Sequence, residues 1–133
     1  MNLIDVQIFI TDRIGRKHCL PLRFDFTNTD RMRLRKSAAN PSHLTLADDP
    51  EIADILHDIE ETAKSMLIQR LGNIEPEPED FTAGGTADRY WARRRAAEEQ
   101  VRRQYVDGCT IYVHYPKELR TAGTDGQKKR QAG

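Results

Sequence analysis

The sequence predicts a small α+β domain, in which an antiparallel sheet made of an N-terminal β-hairpin and a C-terminal strand is covered by two helices in the order β-β-α-α-β. Three patterns predict this fold. Two N-terminal segments alternate apolar and polar residues around a turn, a long segment repeats apolar residues at helical spacing, and a late segment alternates again before a proline. A chain of 133 residues suits a single domain. We expect residues 1–119 to form it.

Residues 3–26 predict the β-hairpin. The inward positions are Ile4, Val6, Ile8 and Ile10 in the first strand and Leu20, Leu22, Phe24 and Phe26 in the second. Gly15 can adopt the positive φ that a hairpin turn requires. Pro21 has no backbone N–H to donate, so the second strand is expected at the edge of the sheet or with a bulge.

Residues 27–41 allow two interpretations. Met32 and Leu34 alternate with arginines, as in a third strand with a basic outer face. The same residues also suit a short basic helix that begins after Asn28 or Thr29. The absence of β-branched residues at 36–39 favours the helix or an irregular arm.

The first of the two expected helices begins near Asp49. Asp49 is a favourable N-cap and Pro50 suits the first helical position. Apolar residues then recur at helical spacing and cover about 120° of the helix, the width of a helix that lies on a sheet. They are Ile52, Ile55, Leu56, Ile59, Ala63, Met66 and Leu67. Gly72 is expected to end this helix.

The remaining chain predicts a linker, a second helix, a strand and a tail. Residues 75–85 form an acidic linker rich in proline and glycine, expected to be extended. A helix over 86–106 and a strand over 109–115 follow, and residues 120–133 are expected to be a disordered tail. The predicted core is Ile4, Val6, Ile8, Leu20, Leu22, Phe24, Ile55, Leu56, Ile59, Ile111 and Val113.

Opposite charges occupy different parts of the sequence although 21 basic and 21 acidic residues cancel overall. Residues 1–46 contain 8 basic and 4 acidic side chains, residues 47–80 contain 2 and 11, and residues 81–133 contain 11 and 6. Such a chain either presents separate charged surfaces or folds one segment against another. The zero net charge argues against non-specific adhesion to DNA or membranes.

The acidic segment supplies the first candidate binding surface. Asp54, Asp58 and Glu61 lie on the helix face opposite the apolar stripe, and such a face can occupy a basic, nucleic-acid-handling protein. The alternative is that these carboxylates only keep the helix solvated, because runs of charge usually do so.

Two basic segments supply the second candidate surface. The possible nucleic-acid-binding residues are Arg31, Arg33 and Arg35 in the first segment and Trp91, Arg93, Arg95 and Arg102 in the second. Guanidinium groups bind phosphates and aromatic rings stack on bases. The alternatives are that the second set pairs with Glu98 and Glu99, or with the acidic helix or linker of the same fold.

Enzymatic signatures are missing from the sequence. It contains no nucleophile elbow, phosphate-binding loop or dinucleotide fingerprint, and His57 with Glu61 is too incomplete a set for metal binding. We therefore expect no catalysis, no metal and no cofactor. Cys19 and Cys109 have no metal-binding spacing and no signal peptide precedes them, which predicts a reducing cytoplasm. No apolar run is long enough to span a membrane.

These observations lead to two functional hypotheses. The first is a non-enzymatic cytoplasmic module that binds a partner protein through charged surfaces, in the manner of phage or mobile-element accessory and inhibitor factors. The second is a nucleic-acid-binding protein that uses the arm at residues 31–36 and the helix at residues 89–103. Salt dependence separates them, because phosphate contacts make affinity fall steeply as salt rises. The identity of the partner and the oligomeric state do not follow from the sequence.

Overall fold

A computed structural model describes residues 3–81 and 87–120 of this chain. Within these ranges it shows an α+β fold with a three-stranded antiparallel sheet. The elements are β1 (Leu3–Thr11), β2 (Lys17–Asp25), α1 (Asn28–Ala38), α2 (Ala53–Leu71), α3 (Asp88–Val101) and β3 (Thr110–Val113). The predicted fold class is confirmed in this coarse form, but the predicted order lacks α1 and a short helix at residues 117–120.

The sheet has the order β2-β1-β3, so the hairpin forms as predicted and the C-terminal strand joins its long first strand. Ile8 faces Leu20 on one side and Val113 on the other. β2 is an edge strand, and this position explains how Pro21 is tolerated there. Gly15 has a φ of +91°, as expected for the hairpin turn.

A buried carboxylate organises the hairpin turn. Oδ1 of Asp12 accepts backbone N–H groups from Ile14 at 3.0 Å and Arg16 at 2.8 Å, and Oδ2 lies 2.8 Å from Nε2 of His18. Burial acts to raise the pKa of Asp12, but these hydrogen bonds outweigh it and hold the pKa below its usual value.

The longer of the additional helices is α1, which resolves the ambiguity at residues 27–41. Its cap is Thr27, whose hydroxyl accepts the N–H of Asp30 at 3.1 Å, and not Asn28 or Thr29. Leu34 and Ser37 are buried, and their spacing of three residues places both on one face of a helix. The prediction of only two helices was wrong, because a single buried aliphatic residue anchors a segment that is otherwise polar.

The longest helix, α2, supplies most of the cover for the sheet. Asp49 caps a 3-10 turn at Pro50–Ile52, and the α-helix itself begins at Ala53. Gly72 ends the helix as predicted. Close packing also requires glycine there, since a Cβ would lie 2.8 Å from Cγ of Glu98 in α3.

Two predictions about the chain between α2 and β3 need correction. Part of the linker is not extended, because Pro78–Phe81 forms a 3-10 turn. The second predicted helix is interrupted, since α3 ends at Val101 and widens into a π-helical turn at Arg102–Val106. In an α-helix Val101 and Val106 would lie about 140° apart, whereas the wider turn lets both reach the core. Residues 82–86, and residues 121–133 of the predicted tail, lie outside the described part of the chain.

The core lies between one face of the sheet and the helices. All eleven predicted core residues belong to it, with Leu22, Phe24, Leu56 and Ile111 only partly buried. Ile10, Ile52 and Leu67, which the apolar patterns placed on inward faces, are buried as well, and Leu34, Leu46, Val106, Tyr115 and Leu119 complete the core outside the predicted set. Alternation along β1 is strict, and the residues at even positions from Ile4 to Ile10 are buried while Leu3, Asp5, Gln7 and Phe9 are exposed. Among the residues that the structure describes, none covers the second face of the sheet, which is called the open face below.

The packing of α2 on the sheet generates a stability prediction. Ile59 has no exposed surface, so Ile59→Ala should lower the free energy of unfolding by about 2–5 kcal/mol in chemical denaturation. Ser65→Ala, at an exposed position of the same helix, is the control and should change stability by less than about 0.5 kcal/mol. A loss for Ile59→Ala as small as that of the control would contradict this packing.

Candidate interaction surfaces

Arg33 of the first basic segment pairs with Asp54 of the acidic helix. Nη1 and Nη2 of Arg33 donate to the two carboxylate oxygens of Asp54 at 3.0 and 2.7 Å, and Nη2 also donates to the backbone carbonyl of Glu51 at 2.6 Å. Hydrogen bonding to Arg33 lowers the pKa of Asp54 below its usual value. Residues predicted for two competing binding surfaces therefore form one bidentate pair within the fold.

The acidic linker and the second basic segment form a tighter cluster. The side chain of Asp80 is fully buried, and it accepts Nη1 of Arg89 at 2.5 Å, Nη1 of Arg93 at 2.6 Å and the backbone N–H of Glu77 at 2.7 Å. The carboxylate of Glu77 bonds the second nitrogen of each guanidinium, at 3.2 and 2.9 Å. Two carboxylates and two arginines thus fasten the linker to the first turns of α3.

Other predicted arginines are also engaged. Arg102 pairs with Glu99 and, at 3.3 Å, with Asp107. The guanidinium of Arg31 bonds the side chain of Asn28. The exposed ring of Trp91 lies under the guanidinium of Arg94 at 5.6 Å, and Arg94 is not a member of the predicted set. Arg35 and Arg95 are exposed.

One arginine from each basic segment can be placed along α2. Arg33 binds the first turn of α2, whereas Arg94 lies beside Met66, Gln69 and Arg70 near its end. These positions are separated by about 18 Å or more of helix axis. Arg33 and Arg94 therefore do not belong to one positive patch.

The acidic face of α2 is reduced but present. Asp58 and Glu61 are exposed on it, and Glu61 lies 3.6 Å from Lys64. Asp54 holds Arg33, so its removal would perturb the structure as well as the surface. Only Asp58 and Glu61 are suitable for testing this face.

The open face of the sheet is a surface that the predicted site residues did not include. Phe9 of β1 lies between Cys19 of β2 and Tyr112 of β3 in the strand register. Phe9 is 40% exposed and Tyr112 is 56% exposed. The ring of His114 packs edge-on against Phe9, with 5.3 Å between centroids. An aromatic cluster of this kind on an uncovered face is typical of an interaction surface.

Charged residues lie at the two ends of this face. At the end near the N-terminus of β1, Asp5 and Arg23 face each other across the strands and bond at 2.7 Å. Asp25 is exposed in the next pair on the same face of the sheet. Lys17 is exposed at the opposite end, beside the hairpin turn. Uncharged residues occupy the middle of the face.

A polar network around Ser37 borders a surface pocket with a volume of about 410 Å³. Ser37 lies 3.2 Å from Nδ1 of His43 and bonds the hydroxyl of Tyr115, and Asp49 lines the same pocket. A serine, a histidine and a carboxylate are the residue types of a nucleophilic site. Ser37 is 3% exposed, and its hydrogen bond to Tyr115 ties α1 to the segment after β3.

The described residues contain no cluster of three or more histidine, cysteine or acidic side chains that could hold a metal ion. Among the helices in the same ranges, none is long and apolar enough to cross a bilayer. Comparisons with protein-family models, curated proteins and solved structures found no match for this chain.

The Asp80 cluster generates a prediction about pH. The pKa of the Asp80 carboxyl is lowered from its usual value of 3.8 in the folded protein. Burial acts to raise this pKa, but hydrogen bonds and the charges of Arg93 and Arg89 outweigh burial. The charged carboxylate therefore stabilises the fold above about pH 4, and this contribution is lost as pH falls through the depressed pKa. Asp80→Asn should lower the thermal midpoint at pH 7, and the difference from wild type should shrink below pH 4.

The control for this prediction is Glu75→Asn, an exposed position of the same linker, which should leave the midpoint nearly unchanged. Equal melting of Asp80→Asn and wild type at pH 7 would show that the cluster does not hold the linker.

Proposed function

We propose that this protein is a non-enzymatic binding module for a protein partner, which docks on the open face of the sheet. The supporting observation is the exposure of Phe9 and Tyr112, neighbours in the strand register on a face that no described helix covers. Tyrosine and other aromatic side chains contribute a large share of the free energy at protein interfaces.

The charges of this face favour a protein over a nucleic acid. Lys17 and Arg23 are matched by Asp5 and Asp25, so the face lacks the excess of positive charge that a phosphate backbone requires. Protein interfaces commonly have an uncharged centre with charged residues at the rim, as this face does.

The acidic face of α2 is the second candidate for the same function. Asp58 and Glu61 are exposed there and would attract a basic partner. A cytoplasmic location belongs to the proposal as well, and the free thiol of Cys19 at the centre of the sheet face suits a reducing compartment.

The double variant Phe9→Thr, Tyr112→Thr tests the sheet face. Threonine keeps the β-branched character that strands favour and removes the aromatic area. A tagged form purified from the cells that make it should retain a protein, either another chain or an untagged copy. With the purified partner, the double variant should raise the Kd by at least about 30-fold, since interface aromatics contribute about 2 kcal/mol or more.

The matched control is Asp58→Lys, Glu61→Lys on α2, with circular dichroism melting to show that every variant folds. A loss of affinity in the α2 control, with none in the sheet-face variant, would place the docking surface on the acidic helix. Binding of labelled single-stranded DNA or RNA by the wild type at physiological salt, lost in the double variant, would contradict the protein-binding proposal.

A further inference from the structure

We infer that the occupant of the open sheet face is a second copy of this chain, packed face to face with its strands running in the opposite direction. This inference rests on the proposed function, because it assigns the partner of the same surface. The aromatic cluster defined by Phe9, Tyr112 and His114 explains why the face would be covered. The arrangement of charges along the strands explains why the covering partner would be a second copy of the chain.

One end of the face is acidic. Asp25 and Asp5 are exposed there, and Arg23 is bonded to Asp5. Hydrogen bonding and charge from Asp5 raise the pKa of Arg23 above its usual value. The described strands therefore carry two carboxylates and one guanidinium at this end.

The other end is basic. Lys17 is exposed at the start of β2, and Arg16 is exposed in the turn before it. Asp12, whose carboxylate accepts the backbone N–H of Arg16, is buried and committed to the turn and to His18. The positive charge of Arg16 and Lys17 consequently faces solvent beside the uncharged centre.

Symmetry then selects one orientation. Two identical sheets can pack face to face around a two-fold axis that lies either along the strands or across them. An axis along the strands places like ends together. An axis across them reverses one copy, so that Lys17 approaches the acidic end around Asp25 of the other copy while the uncharged centres meet. Only the reversed arrangement is electrostatically complementary.

The size of the face limits the strength of this association. A nine-residue strand is about 30 Å long and three strands are about 15 Å wide, which is below the area of a standard interface. We therefore expect a reversible dimer whose population depends on concentration, and which weakens as salt rises.

A charge-exchange experiment tests the inference with the full chain. The first variant, Arg16→Glu with Lys17→Glu, makes both ends acidic, and the second, Asp5→Lys with Asp25→Lys, makes both ends basic. Sedimentation equilibrium should show a dimer for the wild type at high concentration and a monomer for each variant alone. An equimolar mixture should form a heterodimer at least as stable as the wild-type dimer.

A further pair of variants tests whether the mixture associates merely because its two proteins carry opposite charges. When Phe9→Thr and Tyr112→Thr are added to both charge variants, the mixture should no longer associate. Association that survives these substitutions would overturn the assignment, and so would a wild-type chain that stays monomeric to millimolar concentration. If the wild type is monomeric but binds a different protein, and Phe9→Thr, Tyr112→Thr abolishes that binding, the inference fails while the proposed function stands. If the wild-type dimer forms and is unaffected by Phe9→Thr, Tyr112→Thr, both fail.

Discussion

The one-sided hydrophobicity of the sheet is the constraint on which the other features of this fold depend. The even positions of β1 are buried and the odd positions are exposed, so a single layer of helices satisfies the core. Every described helix contributes to that layer or to its support. The opposite face is consequently left to solvent, including Phe9 and Tyr112. Burying those two rings would remove apolar area from water at no cost to the existing core, and this supports the proposed docking role.

The segregated charges of the sequence serve largely within the fold. Arg33 joins α1 to α2 through Asp54, and Asp80 joins the linker to α3 through Arg89 and Arg93. Removing one charged member of the buried Asp80 cluster would leave its partner's charge uncompensated, and an uncompensated buried charge strongly destabilises a fold. Segments of opposite charge therefore pair with one another in the folded chain. Their separation along the sequence is a poor indication of separate binding surfaces.

Local patterns predicted the core, and long-range pairing determined the surfaces. The residues at even positions of β1 and the stripe on α2 were recognisable because burial repeats with the period of each element. The helix α1 was ambiguous because Leu34 is its only buried aliphatic residue. The salt bridge from Arg33 to Asp54 spans 21 residues, and no local pattern predicts it. Phe9 was visible as an apolar residue on a polar face, but its approach to Tyr112 depends on the pairing of β1 with β3.

The reactivity of Cys19 tests most directly whether the open sheet face is the docking surface. Cys19 is exposed beside Phe9 on this face, whereas Cys109 packs against the core and burial raises the pKa of its thiol. Alkylation rates of the two thiols can be measured by mass spectrometry before and after binding is saturated, whether by a captured partner or by self-association. Docking on this face predicts a severalfold slower reaction at Cys19 and an unchanged rate at Cys109. An unchanged rate at Cys19 in the saturated complex would contradict the account.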